Sequence, residues 1–517
     1  MSTVTNPPVP KSAPAPVFLP WGRSLSIAAL LLLAMAVGLR LYCLGSRSLW
    51  YDEAATANAS RGTLRQALDE TRHFSAPMAH PYLLYLVEKV ESTPIAVRIP
   101  SVVASLLAVL LMLAMVRAGI SPEASIFAAA LLACSSSQIR YAQEVREYAL
   151  AVLAATVLIY LFLRWETAGT RSRQPWLLYV ALLLAPLVQY GLVLLSGAIL
   201  ASMAIRLLWV RETHFRAFHL AVATASLGAG SLASLLLTLR YQFHVAGVPW
   251  YLVADYFDPR RASLLRFLGQ DSADLLRFFI PGRLLYVLVA LSIAILCMAE
   301  IRRRTMHPAL LLTFLSLGIT IGASIAGVYP YGGVRQCLFL APGVALIAGL
   351  AFADLVRRIK VPRQREAATV GVLGIVVVLL LTSLYRGNLK TQWPYGEYED
   401  IQSVLSPLNR GLAPQDQVWV NHDAVPAVKF YQRTKDSRFC YGKFHANPQQ
   451  YIPDLRAFVA PRTQRIWLIF SHLQQPSDRA EEQLIVHSLH PGWDVHCVAA
   501  PRNAELYVAN RKAPSVR

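Results

Sequence analysis

The stretch SLWYDEAATANAS, residues 48–60, sets Asp52 and Glu53 side by side after Trp50 and Tyr51. Carboxylates so placed have two readings. One takes a proton from an acceptor hydroxyl or amine during a group transfer. The other is a helix N-terminus, where acids offset the partial positive charge of unpaired backbone N–H groups. Basic residues with aromatic neighbours recur further on: Arg98, then Arg140, Tyr141, Glu144, Arg146, Glu147 and Tyr148, then Tyr331 and Arg335. Arg140, Glu144 and Glu147 share one face if a helix runs through them. Arginine's planar fork binds two oxygens of a phosphate, so these side chains are candidates for holding a departing phosphate. The plainer alternatives are an interfacial ion pair for Arg140–Glu144 and headgroup snorkelling for Arg335. His80, before Pro81, is a candidate polar contact or a helix cap.

The elements that must position these residues are apolar. Of 517 residues, 55% are hydrophobic and only 15% charged, with mean hydropathy +0.42. Soluble domains carry about 25% charged residues, so a soluble reading fails. The net charge of +19 would suit nucleic acid, but most of the basic residues lie in short runs between apolar segments. That is the positive-inside pattern of a polytopic membrane protein, and no nucleic-acid partner is expected.

Single spans are expected at 25–45, 97–118, 217–239, 284–300, 308–328, 335–354 and 367–385, with two passes each in 122–164 and 176–209. The pair in 122–164 breaks near SSSQIRYAQEVREY. The pair in 176–209 breaks near Gln189-Tyr190-Gly191. The total is eleven, rising toward thirteen if 80–96 crosses and a further pass compensates. Basic turns at 164–173, 206–216, 300–304 and 357–365 belong in the cytoplasm with the N-terminus. Loop 46–80, the RYAQEVREY turn, 240–283 and 327–336 then face outward, with everything from about 388 on. Residues 1–23 form a Pro-rich, disordered tail, and 24–387 the membrane domain. Residues 388–517 form a small α/β domain with strands at 416–420, 465–470, 494–499 and 504–509 and helices at 398–409 and 478–489. Cys440 and Cys497 lie in that domain, either paired or as free thiols. There is no internal repeat.

The ordered series SLWYDEA, HPYLLYL, RIPSVVASLLAVL, SSSQIRYAQEVREYALAVLAATVLIYLF and YPYGGVRQCLFLAPGVALIAGLA resembles the GT-C membrane glycosyltransferases. Within them it is most similar to the bacterial relatives of the protein O-mannosyltransferases and aminoarabinose transferases. The match is good over about 100 N-terminal residues and loose over the remaining membrane region. A double proline common in those proteins is Pro81-Tyr82 here.

The resemblance implies a sugar donor on a polyprenyl phosphate and work at the outer, periplasmic face of a bacterial inner membrane. The acceptor would be a glycolipid, a cell-envelope polysaccharide or a protein. It implies Asp52 as base or acceptor-orienting group with Glu53 beside it, His80 as the polar residue before the loop-closing proline, and Gln143, Glu144, Arg146 and Tyr148 as one matched motif. Arg98, Arg146 and Arg335 would hold carrier phosphate. Some relatives hold a metal near the first loop; no ligand cluster in this sequence demands one. Two rivals share the apolar body. A transporter or flippase for lipid-linked sugars would put its polar groups at mid-membrane, whereas here they gather at span ends. A scaffold with an outer binding domain leaves the Asp-Glu loop idle.

Overall fold

The computed structural model describes residues 21–72, 77–168, 175–209, 216–242, 250–303, 306–387, 399–432 and 436–512. The expected N-terminal tail, up to residue 20, lies outside them, as do Arg171, Arg173, Arg211 and Arg304 of the basic turns. The chain opens with α1 (Arg23–Leu41), then three short helices: α2 (Tyr51–Ala59), α3 (Leu64–Thr71) and α4 (Ala79–Glu88). The apolar body follows as α5 (Pro94–Leu113), α6 (Pro122–Cys134), α7 (Ser136–Ala142), α8 (Tyr148–Ala168), α9 (Pro175–Val188), α10 (Leu192–Trp209) and α11 (Ala217–Ser234). After α12 (Arg240–Gln242) come α13 (Leu264–Phe279), α14 (Arg283–Arg303), α15 (Pro308–Ile325), α16 (Ala341–Arg357) and α17 (Pro362–Gly387).

Eight helices among the described residues are long and apolar enough to cross a membrane, and α6, α9 and α10 are shorter apolar helices. The eleven expected spans are therefore all helices. Segment 80–96 holds the ten-residue α4, too short to cross alone, and the first residues of α5. Three helix starts repeat one device. Thr93, Ser121 and His307 each cap a backbone N–H, and proline follows at the first helical position of α5, α6 and α15. The side-chain acceptor satisfies an orphan donor and the proline costs none. At the centre, α16 is buried along nearly its whole length. Gly349 lets it close on α6, because a Cβ there would collide with the Ala124 carbonyl.

The break expected after α6 is real, and side chains exchanged between helices create it. Arg40, fully buried on α1, donates to the Leu132 and Ala133 carbonyls (2.9 Å each) at the end of α6 and to Ser105 Oγ (2.8 Å). Gln143 Nε2 returns the favour, donating to the Arg40 and Tyr42 carbonyls at the end of α1 (2.9 and 2.8 Å). Both helix ends lose their unpaired carbonyls to a partner.

The C-terminal part contains α18 (Ile401–Gly411), β1 (Gln417–Val420), α19 (Val425–Tyr431), β2 (Phe439–Tyr441), α20 (Tyr451–Phe458), β3 (Arg465–Ser471), α21 (Pro476–Leu489), β4 (Trp493–Ala499) and β5 (Ala504–Arg511). The sheet order is β2-β1-β3-β5-β4. β1 is parallel to β2 and β3, with Val418 opposite Phe439 and Trp467; β5 is antiparallel to β3 and β4. The four expected strands form, and β2 is an addition. Cys440 and Cys497 lie on opposite edge strands and are free, so the pairing alternative falls.

This layer does not stand apart. Leu49, Ala54, Ala57, Leu84, Val97 and Val145 share one buried cluster with Ile401, Val404, Leu405, Val420, Val428 and Ile469. Basic turns pair at the far end of the bundle, where Arg357 and Arg365 reach Glu123 and Arg206 reaches Glu166.

Candidate active site

α2 starts at Tyr51 with Trp50 as N-cap, so Asp52 and Glu53 both occupy its first turn. Adjacent positions on a helix point some 100° apart, and the two acids meet different surroundings. Glu53 points inward and is wholly buried. Its Oε1 accepts from Arg98 Nε (2.9 Å) and the Val145 N–H (3.0 Å), and its Oε2 from Arg98 Nη2 (2.7 Å). Arg98 spends its remaining donors on the carbonyls of Leu44, Arg47 and Ser48 (2.8, 3.1 and 3.2 Å). Its five N–H groups are all used, none facing the cavity. The expectation put Glu53 beside the chemistry and Arg98 on phosphate; the structure commits the two side chains to each other. Together they form a clasp joining α2, α5 and segment 143–147.

That clasp sets Arg146 opposite Asp52. The Asp52 carboxylate accepts from Arg335 Nη1 at 3.1 Å and lies 3.7 Å from Arg146 Nη1. Burial pushes its pKa up, but Arg146 and Arg335 outweigh burial and hold it below the ordinary value. Arg335 begins the turn ahead of α16, its guanidinium 5.7 Å from the rings of both Trp50 and Tyr148. Arg146 also pairs with buried Glu147 at 3.4 Å. A cavity of about 70 Å³ opens beside them, lined by Pro77, Arg146, Glu147, Tyr148, Gln189, Tyr190, Tyr329, Arg335 and Gln336.

The sequence did not single out Gln189 or Gln336 as site residues. Gln189 Nε2 donates to Tyr329 Oη (2.8 Å) and the Gln336 carbonyl (3.1 Å). Among the described residues, the buried Oε1 atoms of Gln189 and Gln336 have no hydrogen-bond partner. The signal for Gln189 was the break near Gln189-Tyr190-Gly191, read only as the division between two passes.

Other expected residues lie elsewhere. The continuous face through Arg140, Glu144 and Glu147 does not form, because α7 ends at Ala142. Arg140 and Glu144 do pair, at 3.1 Å, but neither lines the cavity. Tyr141 packs on Tyr148 and Phe278. Tyr331 is buried, its hydroxyl 2.8 Å from Ser272 Oγ and its N–H bonded to the Asp255 carbonyl. Gln143 serves α1. His80 is not the N-cap of α4 but its second residue, and among the described residues neither of its buried ring nitrogens has a hydrogen-bond partner. Burial and the Arg146 charge push it down to about 3, so it is neutral and supplies no cation to a phosphate. Among the described residues no group of three or more His, Cys, Asp or Glu side chains comes together to hold a metal; arginine and tyrosine surround Asp52.

Eleven apolar helices among the described residues, a polar loop after the first of them and a small C-terminal sheet layer define a polytopic membrane protein of the GT-C fold. Among solved structures the chain is similar to ArnT from Cupriavidus metallidurans. With the crystal structure bound to undecaprenyl phosphate it shares 14% identity at a TM-score of 0.54, over 93% of this chain and 97% of that one. With the apo state it shares 15% at 0.55, over 93% and 98%. The Archaeoglobus fulgidus oligosaccharyltransferase aligns with 93% of this chain and 74% of its own at 11% identity, TM-score 0.49. No family model matches, and no curated protein matches by sequence.

Proposed function

We propose that this chain is an inverting glycosyltransferase that moves a sugar from a polyprenyl-phosphate carrier to an acceptor at the outer face of a bacterial inner membrane. The observation that carries this reading is the Asp52 carboxylate set against Arg146 and Arg335 beside a polar cavity. The ArnT structure with undecaprenyl phosphate supports the same class of donor.

Arg146 and Arg335 hold the carrier phosphate. The acceptor oxygen or nitrogen attacks the anomeric carbon opposite it. The bond from that carbon to the phosphate oxygen breaks, and polyprenyl phosphate leaves with the electron pair. Positive charge held in place at the departing group lowers the barrier. The acceptor's proton passes to Asp52. With the donor absent, Asp52 occupies both arginines and is a weak base. A bound phosphate draws them away and leaves its carboxylate free to orient the acceptor and take the proton. Among the described residues no group of three or more His, Cys, Asp or Glu side chains gathers around Asp52, and no step runs through a metal.

The test uses purified protein in nanodiscs with a panel of polyprenyl-phosphate sugars, following release of polyprenyl phosphate. Wild type releases it from at least one donor and Asp52→Asn does not. Equal release by both would overturn the role of Asp52. Flipping of lipid-linked sugar without any release would favour a transporter.

A further inference from the structure

Beyond the membrane helices, the C-terminal layer brings one more ionic pair to the loop that carries Asp52. Glu399, just ahead of α18, is wholly buried. Its Oε1 meets His472 Nδ1 at 2.6 Å. Its Oε2 accepts from Ser471 Oγ (2.9 Å) and from the backbone N–H of Tyr51 (3.1 Å). One carboxylate therefore ties the end of β3 to the residue next to Asp52. His472 also lies against Tyr51, ring centroids 5.6 Å apart. Its backbone is left-handed, φ 64°, a conformation that a non-glycine residue holds only where its surroundings enforce it.

We propose that Glu399 and His472 are a positioning pair through which the C-terminal layer sets the placement and the electrostatics of Asp52. This rests on the glycosyl-transfer reading only for its effect on rate. Glu399 fixes Nδ1, so His472 cannot swing away. The groups facing His472 are Glu399, Asp423 and Asp478, with Tyr51 and Asp52 from α2 and His422 nearby. Burial disfavours its cation, but the Glu399 hydrogen bond and these carboxylates win and raise it to about 9. Near neutrality it is an imidazolium. Asp52 pairs with Arg146 and Arg335 and is also within electrostatic reach of this third cation, which lowers its pKa further. The first two are claimed by the donor phosphate; the imidazolium is not. It would keep Asp52 ionised while the arginines are engaged.

The test titrates Asp52 in the full-length protein. Infrared difference spectra of wild type minus Asp52→Asn isolate its carboxylate band. In the His472→Gln background the same difference should have a midpoint higher by about half a unit or more, because a nearby cation is gone. His472→Arg should restore it. With a donor that wild type turns over, His472→Gln should lower kcat about tenfold with donor KM unchanged, and move the acid limb of the pH profile upward. An unmoved Asp52 midpoint in folded His472→Gln overturns the proposal. Absence of turnover by wild type bears on the glycosyl-transfer reading alone, since the titration needs no activity.

Discussion

Two neighbouring acids in one helical turn meet different partners, and substitution separates them. Glu53 is enclosed with Arg98, and breaking a buried pair leaves an uncompensated charge. Glu53→Ala should cost about 3–5 kcal/mol, read as a lower unfolding midpoint in detergent with little protein recovered. Asp52 is partly exposed against two arginines, so Asp52→Asn should insert and fold normally. It should also bind polyprenyl phosphate more tightly than wild type, by about tenfold, because Arg146 and Arg335 lose their internal competitor. Surface plasmon resonance with the carrier phosphate checks this; equal or weaker binding means that Asp52 does not compete for the seat. The sequence showed the acids but not their division of labour. The pattern YDEAATANA fits a helix start in either case, and which acid faces inward depends on where α5 and segment 143–147 lie. Arg98 looked like an available cation for the same reason.

At the level of elements, apolar runs were legible because they depend on length and composition; the capped x-Pro starts at Thr93, Ser121 and His307 went unread, although their signal is local. The break after α6 was legible as polar residues in an apolar stretch. Its cause was not, because Arg40 acts from a helix some 90 residues earlier. The i, i+4, i+7 face failed there too: the carbonyls that stop α1 recruit Gln143, and the turn ends before Glu147 can align. Strand β2 escaped because FCY is three residues long with no alternation, and its pairing with β1 alone defines it. Close packing of α16 on α6 gives a separate prediction. A side chain at Gly349 meets backbone of α6, which cannot move aside as a flexible side chain would. Gly349→Val should cost about 1–3 kcal/mol. Thermal unfolding would show it, with the loop residues around Asp52 unaltered. A tolerated valine would mean that the two helices can separate at little cost.

The sheet layer and the first loop pack as one unit because they share an apolar core and the Tyr51 N–H bond to Glu399, the partner of His472. The expected boundary at 388 lies outside the described residues, and on either side of it Leu49 and Val145 are buried with Val420 and Ile469. Stability should then carry the signature of the joint. His472 is raised from 6.5 to about 9 by Glu399 and its neighbouring carboxylates, against the opposing effect of burial. A group held above its unfolded value stabilises the fold fully below that value and loses its contribution as pH rises through the folded one. The contribution of His472 is therefore complete below about pH 6.5 and falls away toward pH 9 and beyond. Thermal unfolding midpoints measured from pH 6 to pH 10 should decline through that window in wild type. In His472→Gln they should start lower and lack that part of the decline. Hydrogen exchange should locate the change, with amides around Tyr51 losing protection at high pH in wild type, since the Tyr51 N–H and the imidazole share Glu399. Parallel declines in the two proteins would show that the joint is held by its apolar core alone, with the Glu399–His472 pair contributing nothing that titrates.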